Sequence, residues 1–575
     1  MTAAEAMLRA MRAYGVEYVF GNFGTDHTPL LEAASRVREA GEGAALPAFV
    51  TCPHEGVALG AAHGYAAVTG EPQAVVVHVD VGTQNLGAMV HNAHRGNAPV
   101  FVFAGLAPVS YGDHPGARDS PVHFIQDVFD QEGIVRQFCR WYAEYRPPAD
   151  PDEYVARGLE VASTPRRGPT YVTATREALE EPVDVDVGSR SVAGVRPTPA
   201  DDATVDRLAS LVGDADAPVV VTSKLGAAGA ADPAESVESL VAFAEAADAG
   251  VVEAFPAALN FPRTHDLHAG FATGPAFERA DLIVLADTDV PWVPESEGAP
   301  PADVPVVQVD VDPAKEAFPQ WDFQVDHPVR ADPAPTLRAV AERLRETGAA
   351  SDAGTAGRET WGDLGPFAGG EAGPSATVRE HREAGRLTPA VLTAAVDDAI
   401  DEHAGDAIVL NETTTNIFTV LSGLSLDRPG SYLFSHGSGL GWAPGAAVGA
   451  KLGDPDSLVV SLVGDGSYVF GHPTAAAWAA GAHDAPTLTV VYNNSGWNAV
   501  KGATLRQHPD GDAAAADVPE SKFAPTFDLS HAAHVVDAHT AVVESPADLD
   551  GALSSAIEAV RDGTPAVLDV RIEPI

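Results

Sequence analysis

Leu458-Val-Val-Ser-Leu-Val-Gly-Asp-Gly-Ser467 is an apolar run that ends in a carboxylate set between two glycines. A second apolar run, Thr487 to Tyr492, follows after a stretch of helical composition and ends in Asn493-Asn494. A strand, a helix and a second strand in this order predict a βαβ unit of a parallel sheet. Ligands of open α/β sheets bind at the carboxyl ends of the strands, so Asp465 and the asparagine pair should lie at one edge.

The residues at this edge suit a magnesium ion bound to a diphosphate. One carboxylate, one amide oxygen and a backbone carbonyl are sufficient for Mg2+, which completes its coordination with phosphate oxygens and water. Gly464 and Gly466 let the backbone approach a ligand closely, and backbone N–H groups after the strand can hold phosphate oxygens. Each motif alone is also typical of an ordinary turn. The occurrence of both motifs at the ends of Val-rich strands favours the binding site.

Apolar, β-rich runs alternate with helical stretches along the whole chain, which predicts three α/β domains with parallel sheets. We expect an N-terminal domain over residues 1–182, a central domain over 200–345 and a C-terminal domain over 389–575. Residues 346–388 are rich in Gly, Ala, Ser, Thr and charged residues and carry little apolar pattern. This composition predicts a linker.

The composition excludes several classes of protein. With 81 acidic and 35 basic residues the formal net charge is −46, so nucleic acid is not expected as a partner. An acidic surface with few lysines is typical of a halophilic protein, because concentrated salt screens the self-repulsion. Cys52 and Cys139 are too few for a disulfide framework or a thiolate-rich metal site. No cleavable signal and no run of 18 apolar residues is present, so we expect a cytoplasmic protein that does not contact the membrane.

The Gly-Asp-Gly segment followed by the asparagine pair resembles the signature of the thiamine diphosphate (ThDP)-dependent acetolactate synthase and benzoylformate decarboxylase-like enzymes. This resemblance implies three doubly wound parallel-sheet domains, which are a pyrimidine-binding, a central and a diphosphate-binding domain. It also implies a magnesium ion held by Asp465, Asn494 and the backbone oxygen of Gly496. Asp465 and Asn494 are 29 positions apart, slightly more than is usual in the family, with the extra length near Gly471-His-Pro473. Asn493 therefore stays open as the alternative ligand.

Two upstream segments resemble the other cofactor segments of this family, namely Asn411-Glu-Thr-Thr-Thr415 and Ser435-His-Gly-Ser-Gly-Leu-Gly-Trp442. The resemblance implies that Leu440 lies between the two rings of ThDP and bends the cofactor, although an ordinary core leucine is the alternative. The bend brings the amino group of the cofactor to the thiazolium carbon that attacks the substrate carbonyl. The complete set of implied cofactor-binding residues is Thr414, Thr415, Ser438, Leu440, Gly464, Gly466 and Ser467.

Glu55 is the main catalytic candidate in the N-terminal domain. It follows Cys52-Pro-His and begins an otherwise apolar helical stretch. A lone acid at such a position often only interacts favourably with the helix dipole. The spacing Glu55-x4-Gly60-x3-Gly64, however, resembles the glutamate segment of the family, which implies that Glu55 activates the pyrimidine ring.

Three further residues are weaker candidates. His78, at a strand end, fits the histidine of the benzoylformate decarboxylase-like enzymes and suits proton transfer to the substrate. Gln126, in Phe124-Ile-Gln-Asp127, resembles a glutamine of the synthases, and His265 resembles another decarboxylase histidine. A structural role is the alternative for all three.

The mixed pattern leaves the fate of the substrate open. We expect an acetolactate synthase-like lyase and transferase that cleaves or forms bonds next to the carbonyl of a 2-oxo acid, by decarboxylation followed by carboligation. A simple 2-oxo-acid decarboxylase is the alternative, and a ThDP-fold protein without catalysis is the second. A Rossmann dehydrogenase would need Gly-x-Gly-x-x-Gly with an acid about 20 residues later, and no segment combines both features.

The resemblance also bears on cofactors and assembly. Many acetolactate synthases hold FAD in the central domain, so FAD is allowed here, but no binding residues can be identified. In the family the pyrimidine end of ThDP binds one subunit and the diphosphate end binds the other. We therefore expect a homodimer or homotetramer with the active site at the subunit interface.

Overall fold

The computed structural model describes residues 1–192, 194–229, 232–350, 356–367, 374–403 and 405–573. Its strands form three sheets of six, five and six strands, in which every pairing is parallel. The prediction of three α/β domains with parallel sheets is confirmed. The interior strands of each sheet are almost entirely buried, as expected when helices cover both faces of a parallel sheet, whereas several edge strands are partly exposed.

The N-terminal sheet has the strand order β2-β1-β3-β4-β6-β5. Its strands are β1 (Tyr18–Gly21), β2 (Ala48–Thr51), β3 (Gln73–Val77), β4 (Val100–Leu106), β5 (Tyr142–Glu144) and β6 (Thr170–Thr175). The α-helices of this part of the chain are α1 (Ala3–Ala13), α2 (Thr28–Glu39), α3 (Glu55–Thr69), α4 (Val79–Asn85), α5 (Gly87–Arg95), α6 (Val122–Ile125), α7 (Pro151–Ser163) and α8 (Arg176–Glu180).

The central sheet has the strand order β11-β10-β9-β7-β8. Its strands are β7 (Pro218–Thr222), β8 (Gly250–Glu253), β9 (Leu282–Ala286), β10 (Val306–Asp310) and β11 (His327–Arg330). The α-helices here are α9 (Asp202–Gly213), α10 (Pro233–Ala247), α11 (Thr273–Phe277), α12 (Pro294–Glu297) and α13 (Pro333–Thr347).

The C-terminal sheet has the order β13-β12-β14-β15-β17-β16, which is the topology of the N-terminal sheet repeated. Its strands are β12 (Ala407–Glu412), β13 (Tyr432–Leu433), β14 (Leu458–Gly464), β15 (Leu488–Asn493), β16 (His539–Val543) and β17 (Ala566–Arg571). Between α13 and this sheet lie α14 (Ala356–Trp361) and α15 (Pro374–Glu383). The α-helices of the C-terminal part are α16 (Pro389–His403), α17 (Ile417–Gly423), α18 (Ala443–Gly453), α19 (Asp465–Phe470), α20 (Pro473–Ala482), α21 (Asn498–Gln507), α22 (Asp512–Ala515) and α23 (Pro546–Arg561).

The segment predicted as a linker is partly packed on the central domain. Residues 351–355 and 368–373 of this segment lie outside the described residues. The Trp361 side chain is fully buried, and its Nε1 donates a hydrogen bond to the backbone oxygen of Asp248 at 3.2 Å. A Cβ atom at Gly250 would lie 2.6 Å from the indole ring, so the glycine makes room for it. The segment is predicted to be a linker because Gly and Ala dominate its composition, and the packing of Trp361 is not evident from that composition.

Helices α3 and α18 join the N-terminal and C-terminal domains within one chain. Cβ atoms added at Gly64 and Gly449 would lie 2.0 Å from the Ala446 oxygen and 1.7 Å from the Ala61 oxygen. Only glycine allows two backbones to approach this closely. Gly445 lies beside Val57 at the start of both helices, and Gly453 lies beside Tyr65 towards their ends. The two helices therefore run in parallel.

A membrane span is not found in the part of the chain that the structure describes, because none of its helices is both long and apolar enough to cross a bilayer.

Candidate active site

The carboxyl edge of the C-terminal sheet brings Asp465 and the asparagine pair together, as the βαβ pattern predicts. Strands β14 and β15 are neighbours, and Asp465 follows the first of them. The Asp465 carboxylate is buried and accepts backbone hydrogen bonds from Gly466 and Gly496, each at 2.9 Å. Burial raises the pKa of Asp465 to about 6, and the groups that act on it are backbone donors and the Asp569 carboxylate. A bound cation would offset this desolvation.

The two asparagines differ in what they contact. Asn493 is satisfied, since its Nδ2 donates to Asp569 at 2.7 Å and its Oδ1 accepts from the Ser495 N–H at 3.1 Å. The Oδ1 of Asn494 is buried and has no hydrogen-bond partner among the described residues. A buried acceptor without a partner costs about 1–3 kcal/mol, so its retention favours a ligand that needs an oxygen. This contrast supports Asn494 over Asn493.

Gly496 completes the predicted ligand set. Its N–H donates to Asp465, and its carbonyl oxygen accepts from the Asn498 N–H at 2.9 Å. A carbonyl oxygen has two lone pairs, so one stays available to a metal. Any side chain here would clash, because a Cβ would lie 2.2 Å from the Ser521 oxygen. No group of three or more His, Cys, Asp or Glu residues that could hold a metal occurs in the described part of the chain. One carboxylate with an amide and a carbonyl oxygen is a donor set that could hold Mg2+ together with phosphate oxygens.

Two hydroxyl groups lie beside the metal edge. The Oγ1 of Thr414 is 3.3 Å from the Oγ of Ser467, and Thr414 has a φ of 50°. Gly466 contacts the Trp497 ring, and a Cβ at this position would lie 2.2 Å from the indole. Both hydroxyls can donate to a diphosphate at this edge. Thr415 is half-buried, and Ser438 is exposed on the neighbouring loop.

Leu440 is fixed by polar contacts on both sides of its backbone. The carboxylate of Glu412 accepts from the N–H groups of Gly441 at 2.5 Å and Ala443 at 2.7 Å. On the other side, the Asn92 side chain accepts from the Gly439 N–H and donates to its carbonyl, each at 2.8 Å. Leu440 itself is half-buried, which differs from the core leucine considered as the alternative.

Glu412 and Asn92 are two residues of this site that the sequence pattern does not identify. Glu412 is buried, which raises its pKa to about 7. Glu412 lies inside the Asn411–Thr415 segment that resembles a cofactor segment, so the sequence offers a signal for it. Its hydrogen-bond partners, however, belong to a later loop. Asn92 gives no local signal, because its partner Gly439 lies 347 positions further along the chain.

Glu55 is buried at the start of α3 and is held by two amides. Its Oε1 accepts from the Asn22 Nδ2 and its Oε2 from the Asn85 Nδ2, each at 3.1 Å. Gly82 faces the carboxylate, and a Cβ there would lie 3.1 Å from Oε1. Two neutral amide donors therefore hold both oxygens of the Glu55 carboxyl group in place. Asn22 and Asn85 were not identified from the sequence.

Glu55 and the Leu440 loop lie at the same end of the α3 and α18 helix pair. Glu55 begins α3, Leu440 precedes α18, and the two helices run in parallel. At this end the rings of His54 and His472 stack with their centroids 3.5 Å apart. The predicted pyrimidine-activating residue and the predicted wedge are therefore near one another within a single chain.

The structure also brings His78 and Gln126 together. The Nε2 of His78 is 3.0 Å from the Oε1 of Gln126, and its Nδ1 is 2.5 Å from the Oδ1 of Asp26. Asp26 is a further residue that the sequence pattern does not identify. Its position in Gly24-Thr-Asp-His27, directly after the first strand, was the available signal.

His265 is not brought to this cluster. Its ring packs against Phe261 at 4.8 Å, its Nδ1 accepts from the Leu267 N–H, and its Nε2 lies 3.6 Å from the carboxylate of Glu245. These described contacts all belong to the central domain. They do not link His265 with His78, Gln126 or Glu55.

A cleft between the N-terminal and central domains has a volume of about 350 Å³. Its lining contains five arginines and three carboxylates, namely Arg95, Arg140, Arg166, Arg167, Arg330, Asp289, Asp312 and Glu316. Arg166 is paired with Asp289 and Asp312, so the lining does not identify an FAD site.

Comparisons with known proteins bear on the family and the fold of the chain. The chain matches three family models: the thiamine pyrophosphate enzyme N-terminal TPP binding domain over residues 1–134, the central domain over 205–340 and the C-terminal TPP binding domain over 414–570. It is 26% identical to benzoylformate decarboxylase of Pseudomonas aeruginosa over 100% of this chain and 99% of that protein. It is 27% identical to the acetolactate synthase large subunit of Corynebacterium glutamicum over 81% of this chain and 71% of that protein.

Solved structures show the same fold. The ThDP-dependent 4-hydroxybenzoylformate decarboxylase of Rhodococcus jostii superimposes with a TM-score of 0.79 at 24% identity, covering 100% of this chain and 99% of that one. Benzoylformate decarboxylase of Polynucleobacter necessarius gives a TM-score of 0.80 at 19% identity, with the same coverage. At these identities the likeness concerns the fold alone.

Proposed function

Since the chain belongs to the thiamine pyrophosphate enzyme family, whose N-terminal, central and C-terminal domain models it matches in order, we propose that it is a ThDP- and Mg2+-dependent enzyme that decarboxylates a 2-oxo acid. The observation that carries the proposal is the buried Oδ1 of Asn494, which has no hydrogen-bond partner among the described residues and follows the strand next to that of Asp465. This donor set suits a cation that bridges the protein and a diphosphate.

Different side chains would bind the diphosphate end and the pyrimidine end of the cofactor. Asp465, Asn494 and the Gly496 carbonyl would hold Mg2+, and the hydroxyls of Thr414 and Ser467 would donate to the diphosphate. When bound, ThDP supplies the carbon nucleophile and the electron sink for cleavage of the bond to the carboxylate. Glu55 would hold a proton against the pyrimidine ring nitrogen, and Asn22 and Asn85 orient its carboxylate for this task.

The fate of the product depends on whether a proton can be delivered. His78 carries a ring nitrogen that faces Gln126, and a protonated imidazole there can replace the lost carboxylate with hydrogen. This geometry favours simple decarboxylation and release of an aldehyde. The acetolactate synthase-like reaction, decarboxylation followed by carboligation, is the second candidate. The relative from Corynebacterium glutamicum supports that candidate.

A product assay tests the proposal and separates the two candidates. The protein with ThDP, Mg2+ and either benzoylformate or pyruvate should release CO2, and omission of either cofactor should abolish the release. We expect an aldehyde as the main product, because His78 can protonate the product before a second carbonyl adds. An acetohydroxy acid or another 2-hydroxyketone as the main product would instead select carboligation. Consumption of neither 2-oxo acid by the ThDP-loaded protein would overturn the enzyme assignment.

We further propose that the active unit is a homodimer whose cofactor joins Glu55 of one chain to Asp465 of the other. Exposed apolar side chains adjoin both predicted halves of the site, and exposed apolar patches mark surfaces that a partner covers. Val469 and Phe470 follow the metal edge and are 53% and 55% exposed, while Ile125 next to Gln126 is 78% exposed. A second copy of the chain would bury both patches. A site within one chain is the competing arrangement, because α3 and α18 run in parallel.

A further inference from the structure

Asp26 has no part in the function proposed above, yet it is buried at the end of the first strand. It lies in a short 3-10 turn, Thr25–His27, that follows β1. Its Oδ1 is 2.5 Å from the His78 Nδ1, and its Oδ2 accepts from the Val79 N–H at 3.1 Å. The His27 Nε2 lies 3.3 Å from the same Oδ2. The Val79 N–H and the His27 ring thus contact one oxygen of the carboxylate, while the other oxygen contacts the Nδ1 edge of His78.

The surrounding backbone leaves room for this pair at two glycines. A Cβ at Gly24 would lie 2.1 Å from the His78 Nδ1, and a Cβ at Gly105 would lie 1.8 Å from the Asp26 Oδ2. Neither position tolerates a side chain while the carboxylate and the imidazole keep their contact. Gly24, in the loop after β1, and Gly105, in β4, therefore provide the space for the pair.

The hydrogen-bond partners of His78 determine which of its ring nitrogens carry a proton. Both ring nitrogens face oxygen acceptors, Asp26 at Nδ1 and Gln126 at Nε2. A neutral imidazole carries one N–H and would leave one of these contacts without a proton, whereas an imidazolium donates to both. The arrangement thus favours the cation, and it commits Nδ1 to Asp26 in either protonation state.

We propose that Asp26 is a positioning residue that fixes the tautomer of His78 and keeps it protonated near neutral pH, so that Nε2 presents the proton to the substrate. The part of this role that concerns catalysis rests on the proposed function. The effect of Asp26 on His78 does not depend on it. A buried carboxylate is stable only when it is paired, and the His78 cation provides that pairing.

The charges around His78 agree with this role. The hydrogen bond to Asp26 raises the pKa of His78 above its usual value, against the opposing effect of burial. Burial alone would raise the pKa of Asp26, but the hydrogen bond from His78 and the nearby imidazoles hold it below its usual value. Glu55 also favours the cation, whereas His27 and His123 act against it. Asp26 is the largest favourable contribution, and Gln126 is a second favourable group in direct contact with the ring.

The test is a histidine titration that needs no catalysis. In ¹⁵N-labelled protein with ThDP and Mg2+ absent or present, imidazole nitrogen shifts report which nitrogens of His78 carry protons, and His78→Gln identifies the signal. We expect Nδ1 to stay protonated throughout and Nε2 to lose its proton at a pH above the usual histidine value of about 6.5. Loss of the Nδ1 proton first, or titration at or below the usual value, would overturn the proposal without any variant of Asp26.

Asp26→Asn supplies the second readout. It removes the charge but keeps the size, so the His78 titration should move to lower pH and kcat should fall by about 10²-fold or more, while ThDP affinity stays unchanged. Because the protonated ring is the active form, the alkaline decline of kcat should move to lower pH as well. Asp119→Asn, at an exposed carboxylate beside His123, is the matched control and should leave the His78 titration in place. An unchanged titration in a folded Asp26→Asn protein would contradict the role. A protein that decarboxylates nothing, but shows the expected titration, would refute only the proposed function.

Discussion

Asp465→Ala should abolish ThDP and Mg2+ binding together with catalysis. The Asp465 carboxylate is the only carboxylate in the proposed ligand set, and without it the diphosphate charge has no bridging cation. Loss of a residue that only supports a ligand typically weakens metal binding about 10- to 100-fold, so loss of the ligand itself should weaken ThDP binding by at least about 100-fold. Isothermal titration calorimetry with ThDP in the presence of Mg2+ measures this directly.

Asp456→Ala is the matched control for this variant. Asp456 is exposed in the turn before β14, at the opposite end of the same strand, and should leave ThDP affinity unchanged. Thermal unfolding of both proteins without cofactor shows whether they fold. Unchanged ThDP affinity in a folded Asp465→Ala protein would falsify the metal assignment.

Glu55→Gln should leave ThDP bound and remove most of the activity. The amide keeps the size of the side chain and its contacts with Asn22 or Asn85, so binding should change little. An amide cannot transfer a proton to or from the pyrimidine ring, and a positioned acid or base typically contributes about 10²- to 10⁴-fold in rate. We therefore expect kcat to fall by this factor, and exchange of the thiazolium C2 proton of bound ThDP to slow in parallel.

Glu71→Gln is the matched control, because Glu71 is exposed in the turn that follows α3. It should retain both proton exchange and kcat. If Glu55→Gln exchanged the C2 proton at the rate of the parent protein, Glu55 would not be the activating residue. A large loss of ThDP affinity would instead indicate that Glu55 mainly binds the cofactor.

The parallel sheets and the metal edge were predictable because they depend on local pattern. Val-rich runs such as Leu458–Gly464 are buried on both faces, and the residues that follow parallel strands meet at one edge of the sheet. This reasoning placed Asp465 and the asparagine pair together. It did not separate Asn493 from Asn494, because the difference depends on Asp569, a residue of another strand.

The residues that hold the functional groups were not predictable in the same way. Asn92, Glu412 and Asp26 act on partners that are distant in sequence, and no period or motif records such a contact. His265 differs from these residues, because a local resemblance suggests its role while its described contacts lie within the central domain, so that role stays a prediction. A short motif identifies a residue type, whereas the tertiary fold decides what that residue contacts.

Complementation between two inactive chains tests the shared site most directly. Glu55→Gln and Asp465→Ala chains are mixed, dissociated and reassembled with ThDP and Mg2+, and 2-oxo-acid decarboxylation is measured. In a dimer with shared sites, half of the dimers would be mixed and one of their two sites would be intact, so about a quarter of the parental activity should return. No recovery in a mixture that forms mixed dimers, as judged by differently tagged chains, would place Glu55 and Asp465 of the same chain in one site and contradict the account.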